Sequence, residues 1–134
     1  TRLRRAGGET VVFAGTPLTA FSLSEAFSFL SAPRKKQLVR ILRPTGCLPV
    51  YYPGDAEVYL RAGRMPDGAL FCGFFNIGLD ELPTVELTVE KAPSSVRRLT
   101  PDGKWAEVPF TFSGDTLQIP VRAGILSPEM FLLA

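Results

Sequence analysis

The sequence predicts a mainly β protein: an antiparallel β-sandwich of about eight strands that follows a short N-terminal strand-helix-helix segment. From Cys47 onward, short strand-like segments succeed one another with turn residues between them, which is typical of a sandwich. Before that point, apolar residues recur at helical spacing. We therefore expect an N-terminal part over residues 1–46 and a sandwich domain over residues 47–134.

The N-terminal part begins with a short strand. Thr10–Phe13 is a β-branched apolar run bounded by glycines, as in a buried strand. Ser22 and Glu25 then have capping-box spacing, which predicts a short helix from about Leu23.

A second helix is expected after Ser31. Pro33 suits a first helical turn, and Pro44 and Gly46 end the pattern. The apolar stripe consists of Leu38, Ile41 and Leu42. Because a strand and two short helices cannot bury their own apolar residues, we expect residues 9–43 to pack on the sandwich.

Eight strands are predicted in the sandwich domain. They cover roughly residues 48–52, 57–62, 69–76, 84–91, 95–100, 104–110, 116–121 and 129–133. Pro-Asp-Gly occurs twice between them, at residues 66–68 and 101–103, and favours a tight turn.

Two of these strands differ in pattern. Thr84–Lys91 alternates strictly, with Val85, Leu87 and Val89 on one face, which predicts one face in water. Ala69–Asn76 is apolar on both faces, which predicts that it is covered on both sides.

The length, composition and charge of the chain exclude several classes of protein. The 134 residues are 46% hydrophobic and 21% charged, as in globular domains, and no apolar run is long enough to span a membrane. Residues 1–43 hold eight Lys/Arg against two acids, but no aromatic residues interleave with these charges. We therefore do not expect a nucleic-acid-binding arm. We favour a frayed terminus at residues 2–5 and a solvated helix face at residues 34–43. The chain begins without methionine, and we expect it to be cut from a longer protein.

Catalytic and cofactor motifs are absent from the sequence. There is no histidine, which rules out Ser-His-Asp and Cys-His catalysis within this chain, and no phosphate-binding glycine loop. Cys47 and Cys72 lack zinc-site spacing, so we expect no metal, no cofactor and no disulfide framework. The adjacent pair Asp80 and Glu81 could form an acid-base pair, but we favour two solvated turn residues.

Three residues are tentative ligand-binding candidates: Asn76, Tyr52 and Trp105. Asn76 could present its amide to a ligand at a strand end, or bond the backbone of the following turn, which we favour. Trp105 and the tyrosines could stack on sugars, although a hairpin Trp more commonly packs over its neighbours.

The motifs of residues 48–134 resemble a known class of domain. They are an Asp-Gly, an apolar strand and then Asn-x-Gly-x-Asp (67–80), Leu-x-Pro-Asp-Gly-x-Trp (99–105), and a last strand introduced by Ser-Pro-Glu (127–129). Together they resemble the C-terminal β-sandwich domains of bacterial, galactosidase-like glycoside hydrolases. Residues 9–43 are similar to the closing strand and helices of a glutamine-amidotransferase-like α/β domain.

This resemblance implies a non-catalytic structural or interaction domain of a carbohydrate-active enzyme, with the catalytic carboxylates on a barrel elsewhere in the parent chain. The expected partners are that catalytic domain, a second copy of the chain or a carbohydrate, and neither nucleic acid nor membrane. A cytoplasmic location is favoured. Two alternatives stay open: a carbohydrate-binding module using Trp105 and the tyrosines, and a small hydrolase based on two acids.

Overall fold

The computed structural model describes residues 2–5, 8–11, 32–46 and 48–134. The chain divides into two compact units, Thr1–Leu48 and Pro49–Ala134. The expected packing of residues 9–43 on the sandwich stays a prediction.

The N-terminal unit contains a hairpin and a helix. Strand β1 (Arg2–Arg5) pairs antiparallel with β2 (Gly8–Val11), so the prediction of a frayed terminus was wrong: these residues form a ladder. The predicted strand Thr10–Phe13 starts two residues earlier, at Gly8, and its last two residues lie outside the described residues. The predicted helix near Leu23 also lies outside them.

The second predicted helix is present. Helix α1 spans Ala32–Leu42, with Pro33 in its first turn, and continues into a 3-10 turn over Arg43–Thr45. Gly46 ends the 3-10 turn with φ 70°, the left-handed conformation that glycine adopts at helix ends.

The second unit is a β-sandwich of two antiparallel sheets, which confirms the predicted fold class. One sheet has the order β3-β6-β10-β9 and the other β4-β5-β11-β7-β8. The strands are β3 (Val50–Tyr51), β4 (Val58–Arg64), β5 (Leu70–Asn76), β6 (Val85–Val89), β7 (Val96–Leu99), β8 (Trp105–Glu107), β9 (Thr111–Ser113), β10 (Thr116–Ile119) and β11 (Pro128–Leu133).

Nine strands replace the expected eight. The predicted strand over 104–110 is present in part, as β8, and β9 is an additional strand that the sequence did not predict. β8 lies at the edge of the five-stranded sheet, whereas β9 belongs to the four-stranded sheet. Pro109 lies between them, and a proline cannot donate to a ladder. The Val108 N–H still donates to the Val96 carbonyl at 2.9 Å, so the chain crosses from one sheet to the other at residues 109–110.

Both Pro-Asp-Gly segments form the predicted tight turns. The Gly68 N–H donates to the Met65 carbonyl at 2.9 Å, and the Gly103 N–H donates to the Thr100 carbonyl at 2.9 Å. The two glycines have φ of 90° and 79°, in the left-handed region that side chains disfavour. Each turn is a three-residue hairpin loop.

The core lies between the two sheets. Its fully buried side chains come from both sheets, and the largest are Phe74, Phe131, Leu87, Leu117 and Ile119. Of the strand that was expected to be covered on both sides, Cys72 and Phe74 point into this core, whereas Phe71 and Phe75 on the opposite face are only half-buried. Thr88, expected on an exposed face, is buried between its strand partners Tyr51 and Thr116.

The last strand occupies the middle of the five-stranded sheet. β11 pairs with β5 on one side and with β7 on the other. The two pairs β4-β5 and β7-β8 are thus joined only through β11.

Candidate functional site

The five-stranded sheet has an apolar outer face, which we define as the side chains that point away from the core. Since Cys72, Phe74, Phe131 and Leu133 are buried in the core, their alternating neighbours point outward. The apolar members of the outer face are Tyr59, Phe71, Phe75, Leu99, Trp105, Met130 and Leu132. Its charged members are Arg61, Arg97 and Glu107.

Most of the apolar members of this face are partly exposed. Tyr59 is 50% exposed and Trp105 is 37% exposed, and the other five are half-buried. The Tyr59 and Phe75 rings pack at a tilt, with centroids 5.8 Å apart. Gly73 leaves room beneath the Phe75 ring, because a Cβ there would lie 3.1 Å from its edge. The result is a continuous apolar surface across several strands.

Trp105 therefore lies on the outer face, as one of the three candidate residues. It stands on β8 opposite Leu99 at one edge of the sheet. Tyr59, which the sequence offered only as one of several tyrosines, stands at the other edge. Four strand spacings separate the two, about 19 Å. They flank the outer face and do not form one compact platform.

Tyr52, the second candidate, packs into the sandwich. Its ring meets Phe74 edge-on, with centroids 5.6 Å apart. Burial raises the pKa of its phenol, partly offset by a hydrogen bond with the Ala56 backbone. Gly54 lies against the phenol end, and a Cβ at this position would overlap the hydroxyl oxygen and the Cζ atom of Tyr52. The structure thus places Tyr52 apart from the outer face.

Asn76, the third candidate, is fully buried at the end of β5. Its side-chain nitrogen donates to the carbonyls of Asp80 at 2.7 Å and Ala123 at 3.1 Å. Its side-chain oxygen accepts from the Gly78 N–H at 3.0 Å. The predicted bonds to the 77–81 turn are present, and the bond to Ala123 is an addition that sequence reasoning missed.

Asn76 therefore fastens two loops to each other at one end of the sandwich. Leu82 and Ala123 also exchange two backbone hydrogen bonds across these loops, at 3.1 and 2.8 Å. The Leu126 N–H donates to the Asn76 carbonyl at 2.9 Å, and Leu126 has a left-handed φ of 56°. These bonds hold exposed aliphatic side chains in place on the two loops, namely Ile77, Leu79, Ile125 and Leu126.

The acids considered for catalysis lie on the surface. Asp80 and Glu81 are both exposed, and Glu81 pairs with the exposed Arg122 at 3.2 Å. Hydrogen bonds from the Thr100 hydroxyl and from Lys104 lower the pKa of Asp102 in its turn. Among the described residues, no group of three or more His, Cys, Asp and Glu side chains could hold a metal ion.

One charged pair joins a buried carboxylate to a partly exposed arginine, whose side chain is 35% exposed, and sequence reasoning missed it. Glu129 is 4% exposed and faces inward with Phe131 and Leu133. Arg98 donates to both of its carboxylate oxygens, at 2.6 and 2.8 Å. The signal was present in the alternation of β11, which places a carboxylate in the same phase as the core residues.

Cys72 is a buried thiol. It is fully buried in the core, and burial raises its pKa to about 12. A thiol of this kind is inert, because the reactive thiolate is not formed near neutral pH. Cys47 lies outside the described residues.

No helix in the described part of the chain is long and apolar enough to cross a membrane. No protein-family model matches the chain, and comparisons with curated proteins and with solved structures find no significant match.

Proposed function

We propose that this chain is a non-catalytic accessory domain of a carbohydrate-active enzyme and that its outer face packs against another domain of that enzyme. The observation that carries the proposal is the set of seven apolar side chains on the outer face. An antiparallel sheet needs only one buried face, so the second face is normally polar. Scattered exposed apolar residues are common, whereas a contiguous patch marks an interaction surface.

The composition of this face favours a protein partner. Aromatic residues, methionine and arginine are enriched at protein interfaces, and the outer face has all three. Its charged members, Arg61, Arg97 and Glu107, leave an excess of one positive charge, which favours a partner surface with exposed carboxylates. The link to carbohydrate enzymes comes from the sequence resemblance.

The open reading frame that encodes the chain offers the most direct test. We expect it to encode, upstream of Thr1, a barrel with two catalytic carboxylates. A natural start codon immediately before Thr1 would contradict the proposal.

A binding experiment tests the proposed surface. If the encoded barrel is expressed separately, this chain should bind it, and Leu132→Lys should weaken that binding at least tenfold by placing a charge in the apolar face. Gln118→Lys is the matched control, because Gln118 is exposed on the four-stranded sheet between the inward-facing Leu117 and Ile119. Equal losses for both variants would argue against the outer face.

Carbohydrate binding is the second candidate function. The exposure of Trp105 and Tyr59 on one sheet face favours it, since both rings could stack on sugars. A glycan panel separates the candidates: an accessory domain should bind none of its members. Binding that disappears in Trp105→Ala or in Tyr59→Ala, but persists in Tyr51→Ala, would support the carbohydrate candidate instead.

A further inference from the structure

The open edge of β4 differs from the other sheet edges of the sandwich. Within residues 49–134, all of which the structure describes, the edge strands are β3, β9, β8 and β4. The first three have two or three residues each, whereas β4 has seven. Short edge strands prevent other chains from adding to a sheet, and β4 lacks this protection. It also contains neither a proline nor an interruption of its pairing with β5.

The backbone of β4 offers a regular row of donors and acceptors along this edge. The Met65 N–H donates to the backbone carbonyl of Ala69 at 2.7 Å, and the Ile77 N–H donates to the backbone carbonyl of Glu57 at 3.0 Å. These bonds fix the ladder with β5, in which the odd-numbered residues of β4 are the hydrogen-bonded partners. The N–H and C=O groups of the even-numbered residues therefore point to the open edge. They belong to Val58, Leu60, Ala62 and Arg64.

The side chains of β4 give this edge a positive charge. Arg61 and Arg64 lie on the strand, which has no acidic residue. Among the described residues, no carboxylate forms an ion pair with Arg61. Arg64 pairs with the exposed Glu90 at 3.6 Å and donates to the Gly68 carbonyl at 3.5 Å. Tyr59 and Arg61 lie on the same face, two residues apart, and both are exposed.

We propose that β4 is a strand-addition site for an extended, acidic segment of another protein. Such a segment would pair with β4 as a sixth strand of the sheet, as in other cases of strand addition. The odd-numbered residues of β4 would then form the non-hydrogen-bonded pairs, in which opposed side chains are closest. An apolar residue opposite Tyr59 and a carboxylate opposite Arg61 would each find a matching partner.

A second copy of the chain fits this edge less well. Antiparallel pairing of two β4 strands would align four arginines along one seam, and Glu57, directly before β4, would add only two carboxylates. In the register centred on Arg61, the two Arg61 side chains would be directly opposed, and like charges in this position are destabilising. The backbone edge of β4 is open in the five-stranded sheet whether or not the proposed function is correct.

The test uses a fluorescent nine-residue peptide with threonine at odd positions and valine and glutamate alternating at even positions. A peptide with lysine in place of glutamate is the charge control. We expect the chain to bind the glutamate peptide, measured by anisotropy, more tightly than the lysine peptide. In amide NMR spectra, the signals of Val58, Leu60, Ala62 and Arg64 should shift and gain exchange protection, because these N–H groups face the incoming strand.

Two substitutions locate the site. Leu60→Pro removes an edge N–H without removing a bond to β5, and should abolish detectable binding, whereas Leu60→Val should bind as the parent does. Arg61→Glu keeps every backbone donor, and should weaken binding of the glutamate peptide about three- to tenfold while strengthening that of the lysine peptide. Thermal melting verifies that each variant is folded.

Three results would overturn the proposal. The first is failure of the glutamate peptide to bind at millimolar concentration. The second is equal affinity for both peptides in the parent and in Arg61→Glu. The third is a dimer of the chain in sedimentation that Leu60→Pro converts to a monomer, since a second copy would then occupy the edge.

Discussion

The side-chain amide of Asn76 donates a hydrogen bond to the carbonyl oxygen of Ala123, a residue 47 positions later in the chain. The same side chain also donates to the Asp80 carbonyl and accepts a hydrogen bond from the Gly78 N–H. One buried side chain thus supplies partners to three backbone groups on two loops. The Asn-Ile-Gly-Leu-Asp segment is a structural corner in this protein.

Asn76→Ala should lower the free energy of unfolding by about 2–3 kcal/mol. It leaves the Gly78 N–H and the Asp80 carbonyl without their side-chain partner, and it removes one of the two hydrogen bonds that the Ala123 carbonyl accepts. Each buried orphan costs about 1–3 kcal/mol, reduced where water can replace the lost bond. Urea denaturation measures the change. Asp80→Ala is the control: only its backbone carbonyl takes part, so its stability should stay within about 0.5 kcal/mol of the parent. Parent-like stability of Asn76→Ala together with loss of a ligand would identify the amide as a binding group.

Arg98→Met should destabilise the sandwich by about 3 kcal/mol. It removes two charge-assisted hydrogen bonds and leaves the Glu129 carboxylate buried without a partner. The double variant Arg98→Met, Glu129→Leu should recover most of that loss, since a buried ion pair can be replaced by apolar groups at little cost. Chemical denaturation of both single variants and the double variant completes the cycle. Additive losses would show that the pair is not coupled.

Alkaline pH should destabilise the sandwich through Cys72. Burial raises the thiol pKa from 9.0 to about 12, so the folded chain holds a proton that the unfolded chain loses above pH 9. This contribution is complete below about pH 9 and falls by up to about 1.4 kcal/mol per pH unit between pH 9 and 12. Urea denaturation at pH 8 to 10.5 should show a shallower decline in Cys72→Val than in the parent. Tyr52 acts in the same direction in both proteins, because burial also raises its pKa. Parallel declines would contradict the prediction.

Gly54→Ala should destabilise the link between β3 and β4 by about 1–2 kcal/mol. The added Cβ would meet the Tyr52 phenol at far less than van der Waals distance, so the ring must move away from Phe74. Thermal melting measures the loss. Gly63→Ala is a suitable control, because nothing lies within 4 Å of a Cβ at that position. Equal effects of the two substitutions would show that contact with Tyr52 is not the cause.

The isolated chain should not hydrolyse aryl-glycosides. Asp80 and Glu81 are exposed turn residues, whereas an acid catalyst needs a buried carboxyl group with a raised pKa. A panel of nitrophenyl glycosides at several pH values provides the measurement. Turnover that is abolished by Asp80→Asn or Glu81→Gln would contradict this prediction and support the hydrolase alternative.

Local patterns in the sequence predicted much of the sandwich. The alternation of Val85, Leu87 and Val89 located β6, and the glycines of the two Pro-Asp-Gly segments located two hairpins, because φ > 0 at one position is a strictly local requirement. The bonds from Asn76 to its own turn were predictable for the same reason.

Long-range relationships were beyond these patterns. Nothing near Asn76 indicates Ala123, and nothing near Arg98 indicates Glu129, which lies 31 positions away. The apolar residues on both faces of β5 showed that a second surface exists. Its extent, from Tyr59 to Trp105, depends on the order of five strands, which residue spacing does not encode.

The central place of β11 has a consequence for the synthesis of the protein on the ribosome. Residues 128–133 leave the exit tunnel last among the strands, yet they form the only link between the β4-β5 and β7-β8 hairpins. Until they emerge, the core lacks Phe131 and Leu133, and two separate hairpins are marginal in water. The sandwich should therefore close only after translation of this domain is complete, in a slow and cooperative step dominated by contacts between distant residues.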